Sequence, residues 1–378
     1  MNTTKQSNRL LALDVMRGIT MAGMILVNTP GEWGHIFAPL RHAAWNGLTP
    51  TDLVFPFFMF MMGVSMSFSF DKYGRRLTMP FFMKLVKRTV VLFLLGMFIS
   101  FYSLVLNRIV NCNPGQSLVP WSDIRILGVL QRFAITYFLG SLLVIWLPRR
   151  RTLLVACVLI LVLYHVILTL GNGYELAESN IIAVIDNGLW GPSHMYTSWL
   201  PDGNTIKFDP EGLLSALPGI AHVALGYVGG EIIRAKRSIA EKMVDLSIMG
   251  IVLLFGGYLL SYGCPINKSV WSSTYVLVSC GSALLFVVLL IWIIDVRRCR
   301  GWITPFQAFG MNPLFIYLLS ELLEITLSCN GIHGVIYNDI CYVIPFAYFS
   351  SLTYGLLFVS FCGLIAYGLY KRKIIIKI

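Results

Sequence analysis

Residues 10–28 read LLALDVMRGITMAGMILVN, an apolar run interrupted only by Asp14, Arg17 and Asn28. At 1.5 Å per residue a helix of this length rises about 28 Å, close to the thickness of a bilayer's hydrocarbon core. The run follows Lys5 and Arg9, as a secretory leader would. It carries two charges inside the apolar stretch and lacks a small-residue cleavage site, so it is expected to stay as a first span. At about 100° per residue, Arg17 and Asn28 fall within roughly 20° of each other, and Asp14 lies about 40° to the other side of Asn28. One stripe thus holds a charge pair low and an amide about 16 Å higher. An orienting ion pair explains such a stripe; so does a cavity or pathway, where intramembrane charges usually face.

The rest of the chain repeats the pattern. Of its 378 residues 57% are hydrophobic and 12% charged, with a mean hydropathy of +0.74. A soluble domain could not hide so much apolar surface. Apolar segments of about 20 residues, not alternation over about 10, select helices over a barrel. The expected class is an all-α polytopic membrane protein with ten spans, roughly 10–29, 49–70, 86–106, 124–147, 151–170, 211–233, 243–262, 271–294, 303–324 and 349–370. Residues 1–378 then form a single transmembrane domain with one longer outer loop at 171–209.

The net charge of +11 would suit nucleic acid, but its placement points to topology. Of the 29 Lys and Arg, all but Arg17, Arg41, Arg108, Arg125, Arg132, Lys207 and Lys268 cluster at one face, in segments such as RRR at 149–151 and RRCR at 297–300. With both termini cytoplasmic this is the positive-inside pattern of a multi-pass inner-membrane protein. No nucleic-acid partner is expected. His42 falls outside. The eight cysteines show no metal-type spacing, and no metal is expected. Cys157, Cys280 and Cys362 read as core residues, while Cys329 and Cys341 share an outer loop where pairing is allowed.

Several polar residues stand where apolar ones are expected. Arg125 and Arg132, seven apart in DIRILGVLQRFAITYF, share a helical face with Gln131 beside it. Guanidinium forks there suit phosphate oxygens, and a structural pair with Asp14 or Asp123 is the alternative. Asn312-Pro313 should kink or interrupt the ninth span, as broken helices do where they line cavities. Glu321 and Glu324, near its outer end, read as interfacial and receive no role. The 171–209 loop carries Glu175, Glu178, Asp186, Asp202 and Asp209 among Tyr174, Trp190, Tyr196 and Trp199. It fits an interfacial aromatic belt, and equally an acidic lid for a cationic sugar. Thr49-Pro50-Thr51-Asp52 reads as N-cap, N1 and capping box, and Asp209-Pro210-Glu211 reads as a second helix start.

RHAAWNGLTPTDLVFPFFMFMMG, following LDVMRGITMAGMILVN, resembles the heparan-α-glucosaminide N-acetyltransferase family in its bacterial membrane-only form. The resemblance continues through GVLQRFAITYF, DPEGLLSALPGIAHVALGYVGGE, NKSVWSSTYVL, GMNPLFIY and LIAYGLYKRKIIIKI, over essentially the whole chain in order. It implies a transmembrane enzyme that uses cytosolic acetyl-CoA as cosubstrate to N-acetylate a glucosamine on the far side. The family's active-site histidine corresponds to His42 and its asparagine to Asn28, and Asp52 would orient the imidazole.

On that basis Asp14, Arg17, Arg125, Gln131, Arg132 and Asn312 are the candidate acetyl-CoA-binding residues, and Asp186, Trp190 and His194 the candidate acceptor-binding ones. Direct transfer with His42 as general base and a two-step route through acetyl-histidine both fit. Expected partners are acetyl-CoA, an amino-sugar acceptor, the lipid bilayer and, as an open option, a second copy of the chain. A secondary transporter of amino sugars and an O-acyltransferase of envelope glycans are the rival functions.

Overall fold

The computed structural model describes residues 10–74, 76–111, 121–199 and 203–376. Among these, nine helices are long and apolar enough to cross a bilayer, and the count is ten if the bent pair Thr304–Met311 and Pro313–Cys329 is taken as one broken span. In chain order the helices are α1 (Leu11–Asn28), α2 (Val54–Phe70), α3 (Met79–Asn111), α4 (Val129–Trp146), α5 (Arg150–Leu170) and the short α6 (Ile181–Trp190). After the strands β1 (Thr197–Trp199) and β2 (Thr205–Lys207) come α7 (Ala216–Arg234), α8 (Ile239–Leu260), α9 (Ser273–Leu290), α10 (Thr304–Met311), α11 (Pro313–Cys329), α12 (Ile332–Val343) and α13 (Ala347–Lys371). The all-α polytopic architecture expected from hydropathy is therefore present.

Burial sorts the spans into layers. The α7 span is 89% buried, whereas those of α3 and α8 are 11% and 17% buried. The outer helices leave Leu, Val and Phe facing outward because lipid, not protein, solvates them. Inside, small residues let backbones touch. A Cβ on Gly18 of α1 would lie 1.7 Å from the Phe306 carbonyl of α10, and one on Gly310 would lie 2.2 Å from that of Asp14. Any side chain at either position must separate the two helices.

The ninth crossing breaks at Asn312, where α10 and α11 meet at 87°. Pro313 has no N–H to continue the α10 ladder. Asn312 turns its amide on the C-terminal tail, donating to Ile374 O (2.8 Å) and accepting from Ile376 N (2.8 Å).

The 171–209 segment is not an open loop. Asn180 caps α6 by accepting from Ile182 N, and β1 pairs antiparallel with β2. The two wrap a small core of Tyr164, Leu168, Ile182, Met195 and Phe208. Asp202 lies outside the described residues. Cys157, Cys280 and Cys362 are buried free thiols, and Cys329 and Cys341 are free as well; Cys112 is outside the described residues.

Candidate active site

His42 sits in the connection between α1 and α2, and the start of α2 holds it. Asp52 accepts from Thr49 N (3.1 Å) and Thr49 Oγ1 (2.9 Å) through Oδ2, closing the capping box around Pro50. The same oxygen takes Ala43 N at 3.1 Å. Its other oxygen, Oδ1, stands 2.6 Å from His42 Nδ1. Capping, which alone explains this aspartate in the sequence, uses only half of it. An ionised Asp52 accepts from Nδ1 in the tautomer that leaves the lone pair on Nε2. The carboxylate is 1% exposed and the imidazole 39%, so the base is open and its partner sealed.

Pro56 fixes this arrangement from behind. Lacking an N–H, it leaves the carbonyl four residues back, that of Asp52, without its helical donor. The Tyr275 hydroxyl fills the gap at 2.6 Å, tying α9 to the start of α2.

A turn at 266–272 supplies a cation. Asn267 organises it, accepting from Val270 N (3.0 Å), donating to Ser272 Oγ from its backbone (3.0 Å), and reaching Asn46 with its side chain (3.1 Å). The turn presents Lys268 Nζ 3.0 Å from His42 Nδ1 and 3.5 Å from Asp52 Oδ1. Burial pulls this ammonium below its usual pKa, with Asp52 pulling the other way. Nothing in a lone sequence links Lys268 to His42. The signal lay in the family-like stretch NKSVWSSTYVL.

His42 and Asn28 line one cavity of about 510 Å³ with Asp52, Lys268, Arg125 and Arg132. The two arginines do not share a helical face, because α4 begins only at Val129 and Arg125 precedes it. Arg125 bonds Asp209 (2.9 and 2.6 Å) and Glu211 (2.6 Å). Burial works against its charge, but the two carboxylates outweigh that and raise its pKa. This pairing also corrects the second helix start. Asp209 Oδ1 accepts from Glu211 N at 3.0 Å in a local turn, and α7 waits until Ala216. Arg132 is buried, donates to Pro210 O and Ser215 Oγ, and lies 4.7 Å over the Trp271 ring. Neither Asp14 nor Asp123 is its partner; Asp123 pairs with Arg108.

The opposite wall is α11, which brings Tyr317, Glu321 and Glu324 into the cavity. Asn28 and Glu321 line it together. Glu324 faces His333 Nδ1 at 2.8 Å, and the other ring nitrogen of His333 reaches the Gly31 carbonyl at 2.9 Å. Glu321, Glu324 and Lys268 are therefore cavity residues that the sequence reading passed over.

The remaining candidates go elsewhere. Gln131 is buried against Gly96 of α3, and Asn312 is occupied by the C-terminal tail. Asp186 accepts from Leu213 N (3.0 Å) and His194 Nδ1 meets the Ile124 carbonyl (2.8 Å). Neither these two nor Trp190 lines the cavity, whose aromatic contributions include Tyr196, Trp45 and Trp33. Arg17 pairs with Asp14 (3.2 Å) and Ser65 (2.7 Å). It opens into a second cavity of about 1500 Å³ at the other end of α1. That space is lined by Lys72, Arg234, Lys236, Arg237 and Lys242, with Glu241 and Asp295 as the acids. The arginines expected to form one cradle are thus divided between two ends of the bundle.

An ionisable cluster this enclosed, in a helical bundle with a broken span, defines a polytopic membrane protein with a polar site buried at one end. The family model described as "Heparan-alpha-glucosaminide N-acetyltransferase, catalytic" matches residues 9–262. The chain belongs to that family. It is 29% identical to the mouse protein named heparan-alpha-glucosaminide N-acetyltransferase over 84% of this chain and 54% of that one. It is 28% identical to the human protein of the same name over 98% of this chain and 60% of that one. The chain thus spans little more than half the length of either relative.

Proposed function

We propose that this protein is a transmembrane acetyltransferase, moving the acetyl group of cytosolic acetyl-CoA to the amine of a glucosamine-type sugar at the outer face. The observation that carries this reading is the His42–Asp52 pair, 2.6 Å apart, opening on the cavity that Asn28 also lines. The names of the mouse and human relatives supply the acceptor chemistry, an amine of a glucosaminide.

The chain's residues account for each requirement. An amine is mostly ammonium at neutral pH and must lose a proton; His42 Nε2 has the free lone pair to take it. Asp52 orients the ring and stabilises the imidazolium. As the amine attacks the thioester carbon, negative charge grows on the carbonyl oxygen. Asn28, in the lining of the same cavity, has two amide N–H donors to offer that oxygen. The C–S bond then breaks, the thiolate takes the first proton back from His42, and the nitrogen, now an amide, gives its second proton to the freed imidazole and on to solvent, leaving N-acetylated sugar, CoA thiol and one proton. At the other end Arg17 and the basic lining of the larger cavity suit a carrier's phosphates. The positive clusters flank that end, which supports a cytoplasmic entrance. A cavity of about 510 Å³ is of the size that takes a small ligand.

Oriented proteoliposomes test the reading. Acetyl-CoA is sealed in the compartment facing the basic clusters, and glucosamine is supplied only on the His42 side. N-acetylglucosamine should appear outside and free CoA remain inside. Unmodified sugar accumulating inside would replace transfer with transport, and acetylation of supplied N-acetylglucosamine would point to a hydroxyl acceptor.

A further inference from the structure

The cavity holds four carboxylates, and three have basic partners. Asp52 is bonded to His42 with Lys268 beside it. Glu211 is bonded to Arg125, and Glu324 to His333, Ser328 and Tyr354. Glu321 differs. It lines the cavity with Tyr317 and Asn28, both neutral groups. Among the described residues it forms no ion pair. A carboxylate inside a membrane bundle normally has a countercharge, because desolvating it alone is costly.

On the side of α4 and the 266–272 turn, cations and acids offset one another: Arg125 bonds Asp209 and Glu211, and Lys268 stands beside Asp52. On α11, Glu324 is held by His333, which leaves the Glu321 carboxylate to meet a cation entering the space that Asn28 also lines.

We infer that Glu321 is the acceptor-anchoring residue: its carboxylate receives the ammonium of the amino sugar and seats it beside Asn28. This deepens the transferase reading and rests on it for the identity of the acceptor. Asp186 and Asp209 of the 171–209 segment are bonded to Leu213 N and Arg125 instead, and neither lines this cavity. The Glu321 carboxylate takes an N–H of the sugar. Once His42 has removed a proton, the amine still donates to Glu321 while its lone pair faces the thioester. The same contact selects against a hydroxyl at this position, because an alcohol brings no charge to Glu321.

The test compares wild type with Glu321→Gln, which keeps a side-chain oxygen but removes the charge, and with Glu321→Asp. Equilibrium binding of D-glucosamine to the purified protein is measured beside steady-state CoA release. Glu321→Gln should weaken glucosamine binding and raise its KM by roughly tenfold or more, the scale of a lost charge-assisted contact. The KM for acetyl-CoA should stay within about twofold, which also reports a folded protein, and Glu321→Asp should recover part of the affinity. Unchanged glucosamine affinity in Glu321→Gln, or wild-type protein that binds no glucosamine, overturns the inference. If wild type binds glucosamine through Glu321 but releases no CoA, the anchor stands and the transferase reading fails.

Discussion

The two ends of α1 open on polar cavities of different construction. At the Asn28 end the space is about 510 Å³ and its groups are fixed in pairs: His42 on Asp52, Arg125 on Asp209 and Glu211, Arg132 on Trp271. At the Arg17 end it is about 1500 Å³, with long basic side chains from the 235–238 connection and neighbouring helix ends. Small and pre-paired suits bond-making, where a displacement of 1 Å is costly. Wide and basic suits the capture of a large anion, where charge counts more than fit. The comparison predicts that substitutions at the two ends will fail in different ways.

The largest expected effect is at the small cavity. His42→Ala should lower turnover by about 10³-fold, within the usual range for loss of a general base, with acetyl-CoA affinity unchanged. Single-turnover kinetics beside a binding isotherm would check this, and a parallel loss of affinity would erase the distinction between the ends. Next comes Arg17→Ala, which should weaken acetyl-CoA binding about 10- to 100-fold while leaving the KM for the sugar alone. Arg132→Ala separates the two arginine groups. Removing a buried guanidinium from Pro210, Ser215 and Trp271 should lower thermal stability by about 3 kcal/mol, without a selective effect on carrier affinity.

Smaller effects sharpen the account of the pre-paired end. Tyr275→Phe leaves the Asp52 carbonyl without a donor, at a cost of about 1–3 kcal/mol, and should reduce kcat several-fold with both KM values nearly constant. The smallest concerns Asp186, whose pKa burial pushes up to about 6 against the bond from Leu213 N. The folded state then holds its proton more tightly than the unfolded chain does. Stability from this group is full below about pH 4 and is lost as pH rises to about 6. Asp186→Asn should flatten that part of the stability curve, raising stability at pH 7 by about 3 kcal/mol at most. Thermal melts of both proteins at pH 4 and pH 7 would measure it.

The ten crossings were readable because hydropathy over 20 residues is a local signal, and the break at Pro313 because a missing N–H is too. His42 and Asn28 emerged from their family-like surroundings. What joins them to the rest is not local. Lys268 reaches His42 across 226 positions, and Tyr275 reaches Asp52 across 223; no periodicity connects such pairs. Asp52 misled in another way, since a complete capping explanation hid its second oxygen. Arg125 was assigned to a helix that had not yet begun. Asp186 and Asp209 are buried while Glu175 and Glu178 stay exposed, a division that the composition of 171–209 does not reveal. Glu321 and Glu324 read as interfacial because a break foreseen at Pro313 does not give the direction of the helix after it; with α11 at 87° to α10, both carboxylates line the cavity.

The contact of Gly18 and Gly310 with opposing backbone makes α1 a gauge block. Seated against α10, it can neither slide nor turn without prising the two apart, so the interval from Arg17 to Asn28 is held at about 16 Å. One inserted residue would lift Asn28 by about 1.5 Å and swing it about 100° away from the cavity; four would bring it back to within about 40°, but about 6 Å too high. In the proposed reaction a thioester gripped at the Arg17 end is thereby measured by its reach. An arm too short stops below the asparagine, and one too long overshoots it. Selection among acyl carriers would then be a matter of length, set by the pitch of a single helix.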